Sequence, residues 1–237
     1  MTSQLGYVLY EGPSAYDGAP IVSILTGFAS SKNPKTGKML QVWILRSDIA
    51  PHLAVKTGQD ASVCGVCPLR PLTFKAFKGK LTKPCYVHVW KAPLSVFNAY
   101  KRGRYAYATP RAIREAIGDT PVRLGAYGDP ASVPYAIFER LGVGSGRFMH
   151  TGYTHGWMLA ERFDQRYLSI LMASVDPNSG IAPENARTFR VVASMEELAP
   201  NEIECANTSS GIQCSKCGLC AGNARNAKNI AIVAHGN

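Results

Sequence analysis

The sequence predicts an α/β protein that begins with a β-rich N-terminal extension and carries cysteine-rich metal-cluster loops. In its second half, short apolar segments rich in β-branched residues alternate with segments of helical periodicity, which is the pattern of parallel βαβ units. The 237 residues are 46% hydrophobic and 18% charged, which is enough apolar material for one sizeable core. This composition excludes an intrinsically disordered chain.

The first sixty residues read as strands separated by turns. Residues 7–10, 21–25 and 40–45 are rich in β-branched and aromatic side chains. Residues 33–38 combine Asn, Pro and Gly, which indicates a hairpin turn between two of these strands. We therefore assign residues 1–60 to the extension and residues 61–237 to an α/β metal-cluster domain, the two packed as one compact unit.

Helix and strand signals follow in order after residue 108. Thr109 is a favourable N-cap and Pro110 suits the first helical position, which predicts a helix ending at Ile117. Further helices are predicted at residues 132–141 and 158–163, with a helical turn at 183–186. Strands are predicted at residues 122–127, 148–153, 168–174, 188–192 and 230–234.

Three of these predicted strands end in polar residues, namely Asp129, His155 and Asp176. In parallel α/β folds, ligands bind beyond the carboxyl ends of the strands. These three side chains are therefore candidate catalytic residues that could face one site. The alternative is structural, since Asp129 and Asp176 each precede a proline and can begin a turn.

Positive charge is concentrated in one segment of the chain. Residues 61–114 contain eleven Lys and Arg and no Asp or Glu, against a formal charge of +10 for the whole chain. Because Lys and Arg neutralise phosphates and the interleaved aromatic rings stack on unpaired bases, the segment favours a nucleic-acid partner, single-stranded rather than duplex. The candidate binding residues are Lys75, Lys78, Lys80, Lys101, Arg102, Arg104 and Tyr105. The alternatives are a solvated basic face over buried aromatics, or cations that offset a bound iron–sulfur cluster.

The odd number of cysteines, seven, argues against a closed disulfide framework and suggests thiolates that bind metal. The spacing Cys-x8-Cys-x2-Cys-x2-Cys joins Cys205, Cys214, Cys217 and Cys220. Four thiolates suit either a [4Fe–4S] cluster or a tetrahedral zinc ion. The run with two-residue gaps is closer to a ferredoxin-type loop than to a zinc ribbon, which uses two separated Cys-x2-Cys pairs.

A second metal site is predicted at Cys64, Cys67 and Cys85. A proline follows Cys67 directly, as it does in iron–sulfur loops. Because only three thiolates are available, either His52, His88 or an oxygen supplies the fourth ligand, or one iron keeps an open position. A Cys₃His zinc site and a site shared with the other cysteines are the alternatives.

Several expectations rest on what the sequence lacks. No stretch approaches ~18 consecutive apolar residues, and the N-terminus lacks a secretory signal, so we expect a cytoplasmic protein with no membrane partner. The sequence contains no G-x-x-x-x-G-K-[ST] loop, no G-x-S-x-G elbow and no H-E-x-x-H helix. The Cys-x3-Cys-x2-Cys spacing that is usual for radical-SAM enzymes is also absent.

Eight motifs cover most of the chain from about residue 60 onward: CGVCPLR at 64–70, CYV at 85–87, APL at 92–94, AYKRG at 99–103, RLGAYGDP at 123–130, GYTH at 152–155, CSKCGLC at 214–220 and AHG at 234–236. Together they resemble a phage- and prophage-encoded family of cysteine-rich proteins of unassigned activity. Their order is also similar to that of phage proteins related to radical-SAM enzymes. The resemblance implies a partial (β/α) TIM-like barrel that holds iron–sulfur clusters in the cytoplasm of a bacterial host. The different cysteine spacing argues against SAM cleavage and leaves the barrel in place.

Three functional hypotheses follow. The first is a phage iron–sulfur protein, with one or two [4Fe–4S] clusters, that is associated with nucleic acid. The second is a radical-SAM-like or redox enzyme whose three-thiolate cluster presents an open iron. The third is a zinc-stapled structural or binding protein.

Overall fold

The computed structural model describes residues 4–29, 33–79, 85–224 and 226–234. The strands are β1 (Gly6–Pro13), β2 (Pro20–Thr26), β3 (Leu40–Arg46), β4 (Ala106–Tyr107), β5 (Val122–Tyr127), β6 (His150–Thr151), β7 (Tyr153–Thr154), β8 (Met172–Val175), β9 (Thr188–Val192), β10 (Glu202–Glu204) and β11 (Asn229–Val233). The helices are α1 (Pro51–Lys56), α2 (Ala61–Cys64), α3 (Ala92–Lys101), α4 (Pro110–Ile117), α5 (Tyr135–Leu141), α6 (Tyr167–Ile170), α7 (Ala206–Ser210) and α8 (Cys214–Cys217). Short 3₁₀ helices span Pro130–Ser132, Gly156–Arg162, Met195–Glu197 and Gly222–Ala224.

The first sheet contains six strands in the order β4-β1-β2-β3-β5-β6. Strands β1, β2 and β3 form an antiparallel meander, while β5 and β6 extend it in parallel from β3. The turn at residues 33–38 lies between β2 and β3, as the sequence predicts, and the Asn33 side chain accepts hydrogen bonds from the amides of Lys35 and Thr36. The N-terminal strands therefore share one sheet with β5.

The second sheet contains five strands in the order β10-β11-β9-β8-β7, and every pair in it is parallel. Parallel strands covered on both faces read as continuous apolar runs, and β8 is such a run. The fold is therefore of the α/β class with parallel sheets, as the sequence predicts.

One stretch of chain joins the two sheets, because β6 ends at Thr151 and β7 begins at Tyr153. A Cβ atom at Gly152 would lie 2.5 Å from Leu171 Cδ2 and 3.0 Å from Leu124 Cβ, so only glycine fits between the sheets without displacement of the core. The parallel strands β5, β6 with β7, and β8 therefore lie side by side and direct their carboxyl ends to the same edge.

The core lies between these sheets and the helices that cover them. Fully buried side chains from the first sheet include Ile24 and Leu45, and those from the helical half include Phe138 and Tyr167. Tyr167 is held in place because its hydroxyl donates a hydrogen bond to the Val133 carbonyl.

Several predicted elements are confirmed with small shifts of their ends. Helix α4 begins at Pro110, and the Thr109 hydroxyl accepts a hydrogen bond from the Ala112 amide at 3.3 Å. The predicted strands at 7–10, 21–25, 40–45, 122–127 and 188–192 correspond to β1, β2, β3, β5 and β9. The predicted strand at 230–234 corresponds to β11, one residue earlier.

Five predictions were wrong in part. The strand predicted at 148–153 begins only at His150 and is divided at Gly152 into β6 and β7, which belong to different sheets. The helix predicted from residue 132 begins at Tyr135, because Pro134 disfavours a helical conformation at Val133, which is extended after a short 3₁₀ turn. The first residues of the strand predicted at 168–174 belong to α6, and β8 begins only at Met172. The helix predicted at 158–163 is a kinked 3₁₀ segment, with Ala160 at a φ of +42°. Residues 183–186 form a turn without a helix.

Some elements are not predicted by the sequence pattern. Helix α3 lies inside the basic segment and buries Pro93, Val96 and Phe97 beneath its charged face. Within the described residues, no helix combines the length and the apolar character needed to cross a bilayer.

Candidate metal centres

Asp129 is a buried structural junction, with 8% of its surface exposed. One carboxylate oxygen accepts hydrogen bonds from the Thr154 hydroxyl at 3.0 Å and from the amides of His155 and Gly156 at 2.8 and 3.2 Å. The other accepts from the Ala131 amide at 3.0 Å. Burial raises the pKa of Asp129, and these donors oppose the rise. The carboxylate is therefore engaged by the chain itself, and it links the ends of β5 and β7.

The other two candidate catalytic residues are also placed by the fold. His155 meets Asp129 through its backbone amide, and burial lowers the pKa of its imidazole to about 4, so the ring is neutral at pH 7. Asp176 accepts a hydrogen bond from the Asn178 amide at 2.9 Å, which is the turn expected at an Asp-Pro pair. Asp129 and His155 are thus brought together, whereas Asp176 serves a local turn after β8.

The three-cysteine group (Cys64, Cys67 and Cys85) is assembled around the end of α2. The Cys67 amide donates to the Cys64 carbonyl at 3.1 Å, and Gly65 between them has a φ of +56°. The Cys85 amide donates to the Leu69 carbonyl at 2.8 Å. This bond brings Cys85 beside the Cys-x2-Cys loop although 17 residues separate it from Cys67.

A buried ion pair braces this loop. Asp60 is 2% exposed, and its carboxylate accepts hydrogen bonds from Arg70 at 2.8 and 3.0 Å. Arg70 also donates to the carbonyls of Gly58 and Gly65, at 2.8 and 3.3 Å. The guanidinium therefore fixes the loop between the first two cysteines and places a positive charge close to them.

The thiols of the three-cysteine group are protonated at neutral pH in the absence of a cation. Burial is the largest cause that raises the pKa of Cys64 well above its ordinary value, and the negative charge of Cys67 adds to it. Burial also raises the pKa of Cys67 to about 12, and it raises that of Cys85. A bound metal would reverse this balance, because a coordinating thiol loses its proton.

Tyr127, the last residue of β5, faces the three-cysteine group. Its side chain is buried, and its hydroxyl is without a hydrogen-bond partner in the described part of the chain. Burial raises the pKa of Tyr127 well above its ordinary value, and the negative charges of Cys64, Asp60 and Cys85 raise it further. The backbone explains this position, because the Asp129 amide, two residues on, donates to a carbonyl of α2 at 2.6 Å.

The four-cysteine group (Cys205, Cys214, Cys217 and Cys220) is assembled from two segments. Cys205 follows β10, and its amide donates to the Ala231 carbonyl of β11 at 2.8 Å. The other three cysteines lie on α8 and the turn after it, where Gly218 has a φ of +61°. A side chain at Gly218 would lie 2.0 Å from the Met149 sulfur, so the tight turn requires glycine.

The cysteine run of the four-cysteine group is anchored to both sheets. The Cys214 amide donates to the Lys35 carbonyl at 3.1 Å in the β2–β3 turn, and the Cys220 carbonyl accepts from the Gly152 amide at 2.9 Å. Arg187 donates to the Leu219 carbonyl at 2.7 Å. All four cysteines line one small cavity, together with Thr151, Tyr153, Ala206, Asn207, Ile212, Gly218, Leu219 and Ile230.

The thiols of the four-cysteine group share this cavity, but they are not arranged as the ligands of a single metal ion. Across the described residues, no three His, Cys, Asp or Glu side chains form a group that could hold a metal ion. A tetrahedral zinc ion with bonds of ~2.3 Å would need four sulfurs within about 4 Å of each other. The donor set itself, four thiols on one cavity, still suits a metal.

Tyr153 supplies a hydroxyl to the four-cysteine group. Burial raises the pKa of Cys220 to about 12, and a hydrogen bond from Tyr153 opposes that rise. Such a donor stabilises the thiolate form of Cys220, which is the form that binds metal.

Arg123 lies between the two cysteine groups. It pairs in register with Thr151 of β6, which lines the four-cysteine cavity. Its guanidinium donates a hydrogen bond to the hydroxyl of Tyr86, the residue after Cys85. Burial raises the pKa of Cys85 and of Cys214, and the positive charge of Arg123 opposes the rise at both thiols. One cation therefore serves both groups.

The two histidines proposed as fourth ligands lie at the surface side of this region. His52 stacks on Trp90 with ring centroids 3.9 Å apart, and His88 is exposed. Neither is placed against the cysteines by a described contact.

The candidate nucleic-acid-binding residues fall into two sets. Lys75 and Lys78 are exposed, and Lys78 forms an ion pair with Glu197 at 2.6 Å. Lys101, Arg102 and Arg104 are exposed around the end of α3. Lys80 lies outside the described residues.

Aromatic side chains in the basic segment divide between the core and the surface. Tyr105 is only 7% exposed, so its ring is not presented for base stacking, contrary to its selection as a candidate. Tyr86 and Trp90 are 70% and 67% exposed, and they lie one and five residues after Cys85 in the chain. The stacking surface that the segment offers is therefore next to the three-cysteine group.

The sequence predicts both cysteine groups and offers, as one alternative, basic residues that offset a cluster, with Arg70 among the basic residues. It does not identify Arg123 or Tyr127, which reach the cysteine groups only through tertiary contacts. The available signal was weak: Arg70 and Tyr127 stand close to motif residues, in CGVCPLR and in AYGDP.

A larger open cleft of about 640 Å³ lies at the amino ends of β9, β10 and β11. Its asparagines serve the backbone, since the Asn223 side chain accepts from the Arg187 amide at 2.7 Å and the Asn229 side chain from the Thr188 amide at 3.0 Å. We assign these side chains to the support of the loop after the four-cysteine group.

Asp129→Ala should lower the free energy of unfolding by at least about 3 kcal/mol, because each buried donor left unpaired costs ~1–3 kcal/mol. Asp129→Asn, which keeps one acceptor oxygen, should cost less. Asp176→Asn is the matched control at an exposed turn and should cost under about 1 kcal/mol. Urea unfolding followed by circular dichroism measures all three. A fully stable Asp129→Ala variant would contradict the structural role.

Arg123→Met should raise the pKa of both Cys85 and Cys214, because a nearby cation favours the thiolate. At a fixed pH below these pKa values, the alkylation of both thiols in the reduced, metal-free protein should slow by about 2- to 10-fold, which corresponds to at most one pKa unit. Mass spectrometry after a timed iodoacetamide pulse measures each cysteine separately. Arg166→Met, at an exposed pair with Asp164, is the control. Slowing at only one of the two thiols would show that the cation is not shared.

No protein-family model, no curated protein and no solved structure matches this chain significantly. What can be inferred about its function therefore comes from its own cysteine groups and the residues around them.

Proposed function

We propose that this chain is an iron–sulfur protein that holds clusters at both cysteine groups and associates with single-stranded nucleic acid. The observation that carries the proposal is the convergence of the four-cysteine group on one cavity, although its members come from two separate segments. Four partly buried thiols around one cavity are typical of a metal centre, because unliganded cysteines have no reason to gather in this way.

The arrangement favours a polynuclear cluster over a single zinc ion. In a [4Fe–4S] cluster each thiolate binds a different iron, so the sulfurs stand farther apart than around one ion. The Cys-x2-Cys-x2-Cys run of the four-cysteine group is closer to a ferredoxin-type loop than to the two separated pairs of a zinc ribbon, which supports a cluster here. Arg123 and Arg70 supply positive charge beside the thiolates that such a cluster needs.

A bound cluster would supply one-electron redox chemistry or, at the three-cysteine group, an iron with an open coordination position. The chain's own residues hold the sulfurs in place. Arg70 fixes the Cys64–Cys67 loop, and Arg187 fixes the turn before Cys220. The second hypothesis, a radical-SAM-like or redox enzyme, is supported by the same three-ligand composition, and a zinc-stapled protein remains the third.

The proposed nucleic-acid surface runs from the end of α3 to the exposed rings of Tyr86 and Trp90. Lys101, Arg102 and Arg104 offer phosphate contacts, and the two rings offer stacking faces. A strand bound there would lie beside the three-cysteine group. The partial TIM-like barrel and the phage origin in a bacterial cytoplasm remain part of this proposal, and the continuity of residues 150–154 between the two sheets supports the barrel.

Protein prepared without oxygen should be brown and contain iron, with broad visible absorption and, after reduction, an EPR signal. Cys217→Ser should remove the iron of one centre and leave that of the other, whereas Ser215→Ala in the same run should change nothing. Metal analysis with visible and EPR spectra measures both. A colourless protein with stoichiometric zinc would contradict the iron–sulfur assignment and support the zinc-stapled alternative.

Binding to single-stranded DNA or RNA should weaken steeply as salt rises. The triple variant Lys101→Ala with Arg102→Ala and Arg104→Ala should reduce the slope of log K against log salt by about 2, at ~0.7 per phosphate contact for single strands. Fluorescence anisotropy across a salt series measures this slope. Arg111→Ala is the control, since Arg111 is already paired with Glu115 at 2.9 Å. An unchanged slope in the triple variant would exclude this surface.

A further inference from the structure

A buried tyrosine hydroxyl lies beside each cysteine group, and the two hydroxyls differ in one respect. Tyr153 donates to Cys220 of the four-cysteine group. Tyr127 faces the three-cysteine group and has no partner in the regions that the structure describes. The hydroxyl beside the four-cysteine group therefore has a hydrogen-bond partner, whereas the hydroxyl beside the three-cysteine group has none among the described residues.

An unpartnered buried hydroxyl is an energetic cost that a folded protein rarely keeps. Tyr127 is 94% buried, since 6% of its surface is exposed, and leaving its donor unpaired costs ~1–3 kcal/mol. The cost disappears if an acceptor occupies the space that the hydroxyl faces. The Asp129 amide holds the end of β5 to Val63, the residue before Cys64, and Cys64 and Cys85 are near enough to act electrostatically on the Tyr127 hydroxyl. Their sulfurs, together with the inorganic sulfur of a cluster, are the acceptors that the proposed function would bring there.

We infer that the Tyr127 hydroxyl donates a hydrogen bond to a sulfur of the cluster held by the three-cysteine group, and that it tunes the reduction potential of this centre. The inference rests on the proposed function. Tyrosine suits this role because its neutral side chain presents one donor on a rigid ring. The end of β5 fixes the ring, since Tyr127 pairs in register with Trp43 of β3 and Asp129 ties the following turn to α2.

The inferred hydrogen bond has a defined consequence for redox chemistry. Hydrogen bonds to cluster sulfurs stabilise the more negative, reduced form and raise the reduction potential. Tyr153 donates the corresponding hydrogen bond to Cys220 of the four-cysteine group. Each tyrosine should therefore set the potential of its own centre and leave the other unchanged.

The experiment compares Tyr127→Phe, Tyr153→Phe and Ser23→Ala in the cluster-loaded full chain. Ser23 is the matched control, because its hydroxyl is also fully buried and without a partner among the described residues, but it lies in β2. Potentiometric titration followed by EPR gives the midpoint of each centre, and Cys217→Ser identifies which signal belongs to the four-cysteine group.

Tyr127→Phe should lower the reduced-to-oxidised ratio of the three-cysteine centre at a fixed potential by roughly 3- to 10-fold, equivalent to a negative shift of about 30–60 mV at 59 mV per tenfold change. Tyr153→Phe should shift only the other centre, and Ser23→Ala neither. Unfolding of the metal-free variants checks the fold: Tyr127→Phe removes an unpaired donor and should be at least as stable as the original chain.

The outcomes separate the two proposals. If the original chain binds iron at both centres and Tyr127→Phe leaves the three-cysteine midpoint unchanged, the inference is overturned while the proposed function stands. If the original chain binds no iron, the proposed function fails first. Selective loss of iron from the three-cysteine centre in a folded Tyr127→Phe variant would support the inference, since hydrogen bonds from surrounding residues change metal affinity by ~10–100-fold.

Discussion

The buried carboxylate of Asp129 is the interaction on which the architecture depends. Its two oxygens accept four hydrogen bonds, which join the end of β5 to the end of β7, while its own amide holds α2. Removing a carboxylate from water is costly, and only a full set of donors offsets that cost. Because β5 belongs to the first sheet and β7 to the second, this one side chain fixes how the two sheets and the first cysteine loop meet.

The junction has a direct consequence for the cysteines. Once β5 and β6 lie side by side, Arg123 reaches toward Tyr86 and Cys85 on one side while its strand neighbour Thr151 lines the four-cysteine cavity on the other. Two groups separated by about half the chain thus share one cation. A positive charge near both groups favours the thiolate form of Cys85 and of Cys214, so the ionisation of each thiol depends on the same guanidinium.

Features that depend on residues close together in the chain could be predicted from the sequence, whereas features that depend on distant residues could not. Local signals predicted the antiparallel meander, α4 and β5. Strand-forming composition predicts the strands, and Thr109 with Pro110 predicts the start of α4, and each of these signals involves only a few neighbouring residues. These signals failed where a proline or a tertiary contact determines the secondary structure. Pro134 sets the start of α5, and the apolar residues of α6 suit a buried strand equally well. Cysteine spacing predicted the membership of both groups. The roles of Arg123, Tyr127 and Asp129 depend on partners 25 to 90 residues away, and no local pattern records them.

The fold shows which basic residues lie near the cysteine groups and which face solvent. If the basic segment existed only to neutralise clusters, its cations would point toward the cysteines. Arg70 does so, but Lys101, Arg102 and Arg104 face solvent, and the cation shared by the two groups, Arg123, lies outside the segment. Two arginines, Arg70 and Arg123, thus place positive charge near the cysteine groups, and Arg70 is already paired with Asp60. Lys101, Arg102 and Arg104 are exposed close together in the chain and repel one another. A polyanion bound along them would offset that repulsion with its own negative charge, and the release of its counterions would favour binding.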